Sequence, residues 1–312
     1  MAEIIDGRAV ARKLDEETKA QIDAMVAAGM PHPGLAVVLV GSDPASEVYV
    51  GRKLKKSTEL GIVSFEHRLP AETSQDDLLA LIARLNADSA VHGILVQVPL
   101  PAHIDTGLVL RAIAPSKDVD GFHPVNVGRL STGTGGIVPC TPLGVTKLLD
   151  TVFDDLTGLD VVVIGKSNIV GKPIAMLMLE REATVTVTHI ETKGLADICR
   201  QADIIIAAAG APELVRGYWV KPGAVIIDVG ITRRKTADGK TKLVGDVKFD
   251  EVQHARAVTP VPGGVGPMTI SCLMANTVQA ARDQVAGKSG DGFTISFDDV
   301  PDRSMFTGET QD

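Results

Sequence analysis

Residues 161–173 read ValValValIleGlyLysSerAsnIleValGlyLysPro, and no other stretch limits so tightly what the chain can fold into. Four consecutive β-branched residues, Val161, Val162, Val163 and Ile164, predict a strand buried on both faces. Gly165 ends it, Ser167 or Asn168 can cap a helix after the turn, and Pro173 ahead of IleAlaMetLeuMetLeu opens that helix. A strand, a glycine turn and a helix N-terminus together make an anion site. The first N–H groups of such a helix lack internal partners and are expected to be open to a pyrophosphate. The spacing excludes two other motifs. The interval from Gly165 to Gly171 does not fit G-x-G-x-x-G. A P-loop needs its glycines one residue closer, and Ser or Thr where Pro173 stands. An ordinary βα turn in an α/β sheet explains the same residues, so this stretch alone leaves both readings open.

Composition narrows the class. The chain has 312 residues, room for two domains and a substantial core, with 45% apolar and 22% charged residues. Aromatic residues make up only 3%, so Val, Ile, Leu and Ala must fill the core, which suits layered α/β packing better than a sandwich. A net charge of −8 argues against a broad basic surface for nucleic acid. Cys140, Cys199 and Cys272 are scattered, with no CxxC and no Cys/His cluster. They read as reduced, buried thiols, and no metal site is legible. The acidic N-terminus lacks an apolar signal core and no run approaches membrane-spanning length, so a soluble cytoplasmic protein is expected.

Taken in order, residues 7–28 have apolar positions at helical spacing, and 34–40 read as a buried strand. A helix is expected over 46–60, closed by Gly61, then a short strand over 65–69, a helix over 74–85 and a buried strand over 93–98. Short apolar strands alternating with helices predict parallel βαβ units. Residues 116–126 look loop-rich, followed by ThrGlyThrGlyGly and, at 139–144, by ProCysThrProLeuGly. A second α/β series comes next, with strands at 161–164, 184–188, 203–208 and 224–229, and a last helix over 269–284 that should pack back on the first series. The expected division is 1–147, completed by the helix 269–285, then 148–268. The tail 286–312 stands apart. After Gly287 it carries six acidic residues against two basic, a composition that favours disorder, although Phe293–Phe297 could form a docked strand.

Several residues stand out. Tyr49 and Lys53 lie four apart and share a helix face, as a surface pair also would. Gln97 interrupts an apolar strand at its carboxyl end, where open α/β sheets bind ligands; a hydrogen-bonded core residue is the alternative. Asp118 and Asp120 lie in a glycine-bounded loop, where solvent-facing turn carboxylates are common. ProGlyGlyValGlyPro over 262–267 lets backbone approach a ligand closely, and a tight interdomain loop explains it equally.

Six motifs then resemble, in order, those of the methylenetetrahydrofolate dehydrogenase/cyclohydrolase family. They are TyrValGlyArgLys (49–53), GlyIleLeuValGlnValProLeuPro (93–101), LysAspValAspGly (117–121), ProCysThrProLeuGly (139–144), GlyLysSerAsnIleValGlyLysPro (165–173) and ProValProGlyGlyValGlyProMetThr (260–269). The resemblance covers roughly residues 1–285. It implies an N-terminal three-layer α/β domain, a Rossmann-like dinucleotide-binding domain and an active-site cleft between them. It also implies oxidation of 5,10-methylene-tetrahydrofolate to the methenyl cation with NADP or NAD, then hydrolysis to 10-formyl-tetrahydrofolate, in a homodimer.

On that resemblance Lys53 matches the family's catalytic lysine and Gln97 the residue that hydrogen-bonds it. Tyr49 stacks on the folate and Asp120 accepts from the amino-pyrimidine edge, while Pro262, Gly263 and Gly264 flank folate and nicotinamide. The cofactor falls to Gly165, Lys166, Ser167, Ile169, Val170, Ile190, Glu191 and Ile231. Two departures bear on cofactor choice. Lys166 stands where many members have Arg, and Ile190 and Glu191 stand where many have Ser or Arg for a 2′-phosphate. Glu191 lies where a dinucleotide fold places the acid that bonds a ribose 2′-hydroxyl. NADP is expected, with NAD a possible alternative. A dehydrogenase of another small substrate and a non-catalytic dinucleotide sensor are the rival readings.

Overall fold

The computed structural model describes residues 1–235 and 241–287. Its first part runs β1 (Glu3–Ile4), α1 (Gly7–Ala27), β2 (Gly34–Val40), α2 (Pro44–Leu60), β3 (Val63–Leu69), α3 (Gln75–Ala87), β4 (Gly93–Val96), α4 (Thr106–Ala112), α5 (Pro124–Thr132) and α6 (Cys140–Leu149). Caps fix the helix starts. The Asp6 carboxylate accepts from Arg8 N and Ala9 N, Asp43 accepts from Ser46 N ahead of Pro44, and Ser74 Oγ accepts from Asp77 N. Gly61 closes α2 at φ 87°, where a side chain would be strained.

β2 lies between β3 and β4, all parallel. Every residue of β2 is buried, and its two faces feed different cores. Leu35, Val37 and Leu39 pack with Ala11, Leu14 and Ile22 of α1 and with Met274 and Val278, whereas Ala36, Val38 and Val40 pack with Leu78, Ile82 and Val109. A sheet covered by helices on both faces is the three-layer domain, and this is why the strand reads as an unbroken apolar run.

The second part continues β5 (Asp160–Ile164), α7 (Gly171–Glu180), β6 (Thr184–Thr188), α8 (Leu195–Cys199), β7 (Ile204–Ala207), β8 (Val225–Asp228), β9 (Thr232–Lys235), β10 (Thr241–Val244), β11 (Ala257–Val258) and α9 (Val265–Val285). Six strands form one parallel sheet in the order β1-β11-β8-β7-β5-β6. Val161 and Val163 face one core while Val162 and Ile164 face the other. α9 packs along α1, α6 and α2. Two segments thus tie the parts together: β1 crosses into the large sheet, and α9 returns to the small one.

The structure departs from expectation at several places. The stretch 116–144, read as loop over 116–126, holds α5 and the start of α6. Its glycines at 133, 135 and 136, all at positive φ, hide a helix that His123 caps and Pro124 opens, and Pro142 is tolerated in the first turn of α6 because early N–H groups need no intrahelical acceptor. α9 begins at Val265, four residues before its expected start, with Pro267 again in the first turn. β4 ends at Val96, leaving Gln97 just beyond it. The hairpin β9–β10 and the two-residue strands β1 and β11 were not expected, being too polar or too short to show a pattern. Phe293–Phe297 lies outside the described residues. Among the described residues no helix is long and apolar enough to cross a membrane.

Candidate active site

α2 supplies the first groups. Helical spacing sets Tyr49 and Lys53 one turn apart on one face. Lys53 is 9% exposed, and its Nζ donates to Gln97 Oε1 at 3.0 Å. Gln97 Nε2 donates to Val98 O at 2.6 Å, which fixes the amide with its oxygen toward the lysine. Gln97 N still donates to Val38 O at 2.8 Å, so the backbone holds the side chain at the mouth of the small sheet. Of the two alternatives for Gln97, the structure shows a hydrogen-bonded residue whose partner is the buried lysine.

The loop after β4 adds the carboxylates and separates their roles. Asp118 is 1% exposed; its Oδ2 accepts from His123 N (2.7 Å) and Asn126 Nδ2 (2.9 Å), so it ties the loop to α5. Burial raises its carboxyl above the ordinary range, against those hydrogen bonds. Asp120 is half-buried and turns the other way, with Cys140 Sγ donating to its Oδ1 at 3.7 Å. Burial raises its carboxyl, the Lys53 charge opposes the shift, and Asp118 adds to it. Asn276 of α9 fastens this corner, its Nδ2 donating to Val119 O and Val138 O at 2.9 Å each. Lys53, Gln97, Asp120 and Cys140 thus converge from four separate segments.

A cleft of about 400 Å³ opens beside them, with Tyr49, Arg52, Ile231, Pro262, Gly263 and Gly264 among its lining residues. The glycine-rich segment lines this cleft and packs as a tight loop. Gly263 sits at φ 113°, and a Cβ on Gly264 would lie 2.7 Å from Thr259 Cβ. A Cβ on Gly7 would lie 1.8 Å from Gly264 O, so the loop also presses on the start of α1. An aspartate pair that sequence reasoning missed stands here, with Asp228 itself lining the cleft. Asp228 Oδ1 accepts from Gly230 N (3.0 Å) and Asp246 N (2.9 Å), and Oδ2 accepts from Val247 N (3.0 Å). Burial lifts its carboxyl to about 7 despite those three donors. Asp246 Oδ2 accepts from Ala209 N and Gly210 N. The pair ties together the loops after β7, β8 and β10. Its signal was the one that exposed Gln97, a polar residue ending an apolar strand.

The nucleotide turn lies at the carboxyl end of β5. Gly165 has φ 120°, and a Cβ there would meet Ala208 O at 2.1 Å; one on Gly171 would meet Gly165 O at 2.0 Å. Lys166, Ser167 and Ile169 are exposed and Val170 is half-buried. The expectation of open N–H groups at the helix start needs correction. Ser167 Oγ accepts from Val170 N (3.2 Å) and Gly171 N (3.3 Å), Ser167 O accepts from Lys172 N (3.0 Å), and Pro173 has no N–H. The helix end is closed on its own chain, leaving the exposed turn of 166–169 as the surface a phosphate can meet. Ile190, 96% exposed, and Glu191 lie beyond β6, with Glu191 N donating to His189 Nδ1 at 3.3 Å. Glycines that let backbone approach closely, at the carboxyl edge of a parallel sheet, fit a dinucleotide.

Comparison with known proteins agrees with this geometry. Residues 5–120 match the model of the tetrahydrofolate dehydrogenase/cyclohydrolase catalytic domain, and residues 139–285 match that of its NAD(P)-binding domain. The chain is 77% identical over 278 residues to bifunctional protein FolD 2 of Rhizorhabdus wittichii, covering 89% of this chain and 94% of that one. It is 61% identical to FolD of Sphingobium chlorophenolicum over 90% of this chain and 89% of the relative. The crystal structure of FolD from Campylobacter jejuni superposes with a TM-score of 0.87 at 50% identity, over 91% of this chain and all of that one. That of Trypanosoma brucei FolD, complexed with NADP and an inhibitor, gives 0.86 at 42%, over 91% and 98%. The chain belongs to the tetrahydrofolate dehydrogenase/cyclohydrolase family.

Proposed function

We propose that the protein oxidises 5,10-methylene-tetrahydrofolate to 5,10-methenyl-tetrahydrofolate with NADP, then hydrolyses that cation to 10-formyl-tetrahydrofolate. Family membership over both domains supports the two activities. The observation that carries the site assignment is the Lys53 Nζ–Gln97 Oε1 bond at 3.0 Å, set beside Asp120 and one helical turn from Tyr49 at the cleft.

Bound NADP supplies the hydride acceptor at the nicotinamide. The chain's part in that step is alignment: Tyr49 offers a ring for the folate to stack on, and the backbone of Pro262, Gly263 and Gly264 holds folate and nicotinamide between two rigid domains. Asp120 accepts from the amino-pyrimidine edge, whose paired donors suit a carboxylate. In the hydrolytic step water adds to the methenyl carbon, a carbon–nitrogen bond breaks, and one proton leaves overall. Lys53 Nζ carries protons between water and ring nitrogen, and Gln97 holds it in place. On the cofactor side Gly165, Lys166, Ser167, Ile169 and Val170 form the phosphate turn, with Ile190, Glu191 and Ile231 bordering the rest.

The division into 1–147 with α9, 148–268 and the tail 286–312 belongs to the same proposal, as do a homodimer and a cytoplasmic location, which rest on the family. The test supplies methylene-tetrahydrofolate with NADP or NAD in separate assays and follows the absorbance of the methenyl product and its decay. Reduction of NADP with appearance and loss of the methenyl species is expected. Cofactor binding without turnover would favour the sensor reading instead.

A further inference from the structure

The strand order of the large sheet divides the proposed dinucleotide site. β5, which carries the phosphate turn, has β6 on one side and β7 then β8 on the other. Ile190 and Glu191 beyond β6 border the adenosine half. The nicotinamide half then extends over the carboxyl ends of β7 and β8, toward the cleft that Tyr49 and Ile231 line. The backbone it meets there is that of residues 208–211 and 229–231.

Both loops hang on the same two carboxylates. Asp228 ends β8, Asp246 follows β10, and the sequences Asp228-Val229-Gly230 and Gly245-Asp246 clasp each other. Asp228 accepts from Gly230 N in its own turn and from Asp246 N and Val247 N opposite. Asp246 Oδ2 reaches on to the turn after β7, accepting from Ala209 N at 2.7 Å and Gly210 N at 2.8 Å. The clasp leaves no slack. A Cβ on Gly245 would lie 1.9 Å from Asp228 Oδ2, and one on Gly230 would lie 2.3 Å from Asp246 Oδ1. Asp246 is 0% exposed, and its Oδ1 has no hydrogen-bond partner among the described residues. Burial raises both carboxyls, and the Asp246 charge raises that of Asp228 further. Neutral acceptors would close these turns without that cost, and costly buried acids concentrate where function needs them. We propose that Asp228 and Asp246 are positioning residues for the nicotinamide half of the dinucleotide, fixing the turns after β7 and β8 as one rigid edge against it. This rests on the reading of the second domain as the NADP site. The pair acts through backbone, and its effect stops short of the adenosine half, which lies across β5.

The test measures dissociation constants by calorimetry for NADP and for 2′,5′-ADP, which keeps the adenosine half and lacks the nicotinamide. Asp246→Ala frees Ala209 N and Gly210 N, and should weaken NADP about tenfold while changing 2′,5′-ADP less than about twofold. Asp246→Asn keeps an amide oxygen for the same two donors, and should bring NADP binding back to within about threefold of the wild type. In Asp246→Ala the dehydrogenase should fall about tenfold or more, and hydrolysis of supplied methenyl-tetrahydrofolate, which takes no hydride, by less than about threefold. If Asp246→Ala does not fold, Asp228→Asn decides the matter: it keeps the shape, loses the acceptor for Val247 N, and should weaken NADP alone. Equal weakening of NADP and 2′,5′-ADP, unaltered NADP binding, or an Asp246→Asn as weak as Asp246→Ala overturns the positioning role. Wild-type protein that binds neither molecule overturns the cofactor reading itself.

Discussion

Replacing Asn276 by alanine should cost both stability and folate affinity, and the size can be worked out from its bonds. The side chain is 6% exposed and donates to Val119 O and Val138 O at 2.9 Å each. Both carbonyls belong to buried residues, so water does not replace the lost donor. Val119 O keeps a weak partner, Cys140 Sγ at 3.3 Å. An unsatisfied buried acceptor costs about 1–3 kcal/mol, and one full loss, one partial loss and a small cavity add to about 2–4 kcal/mol. For a chain of this size that is a fall in Tm of about 3–6 °C, measurable by far-UV circular dichroism. Val119 precedes Asp120, so loosening it should raise KM for methylene-tetrahydrofolate several-fold and leave KM for NADP within about twofold. Asn276→Asp should be worse, because it turns an oxygen toward two carbonyl oxygens. A loss below about 0.5 kcal/mol, or an equal rise in both KM values, would refute the argument.

Other perturbations reach the rest of the site. Lys53→Met should lower cyclohydrolase activity about a hundred- to ten-thousand-fold with circular dichroism unchanged; near wild-type hydrolysis of methenyl-tetrahydrofolate would remove its assigned role. Glu191→Arg should lower KM for NADP and leave that for NAD nearly unchanged, since in the proposed cofactor site a carboxylate facing the 2′-phosphate is replaced by a cation; an unaltered ratio of the two would place residue 191 outside the cofactor site. Burial lifts Asp228 from 3.8 to about 7, so the folded state keeps a proton that the unfolded chain releases in that interval. Its contribution to stability is therefore full at low pH, falls as pH rises from roughly 4 to 7 and levels off above. Asp228→Asn should flatten that part of the slope in urea midpoints, and a slope unchanged by the substitution would contradict the shift.

Local sequence determined those parts of the protein where one short segment decides its own structure. Gly34–Val40 and the four residues from Val161 are apolar without interruption, so they could lie only between two cores, and they do. Asp43 with Pro44 and Gly61 bounds α2 on capping chemistry alone, and this sets Tyr49 and Lys53 on one face. Six ordered motifs carried the family and with it the two activities. What sequence left open was decided by partners distant in the chain. Asp118 and Asp120 look alike in LysAspValAspGly; only the approach of Asn126 to one and of Cys140 and Lys53 to the other separates a loop anchor from a carboxylate facing the lysine. Ser167 was a candidate cap, yet that it would close the helix end against its own chain depends on how the turn folds back. α9 draws α1 and α2 together, so that Arg8 and Arg52, far apart in the chain, line one cleft. Burial and charge pairing arise between segments far apart in the chain, and so tertiary packing alone decides them.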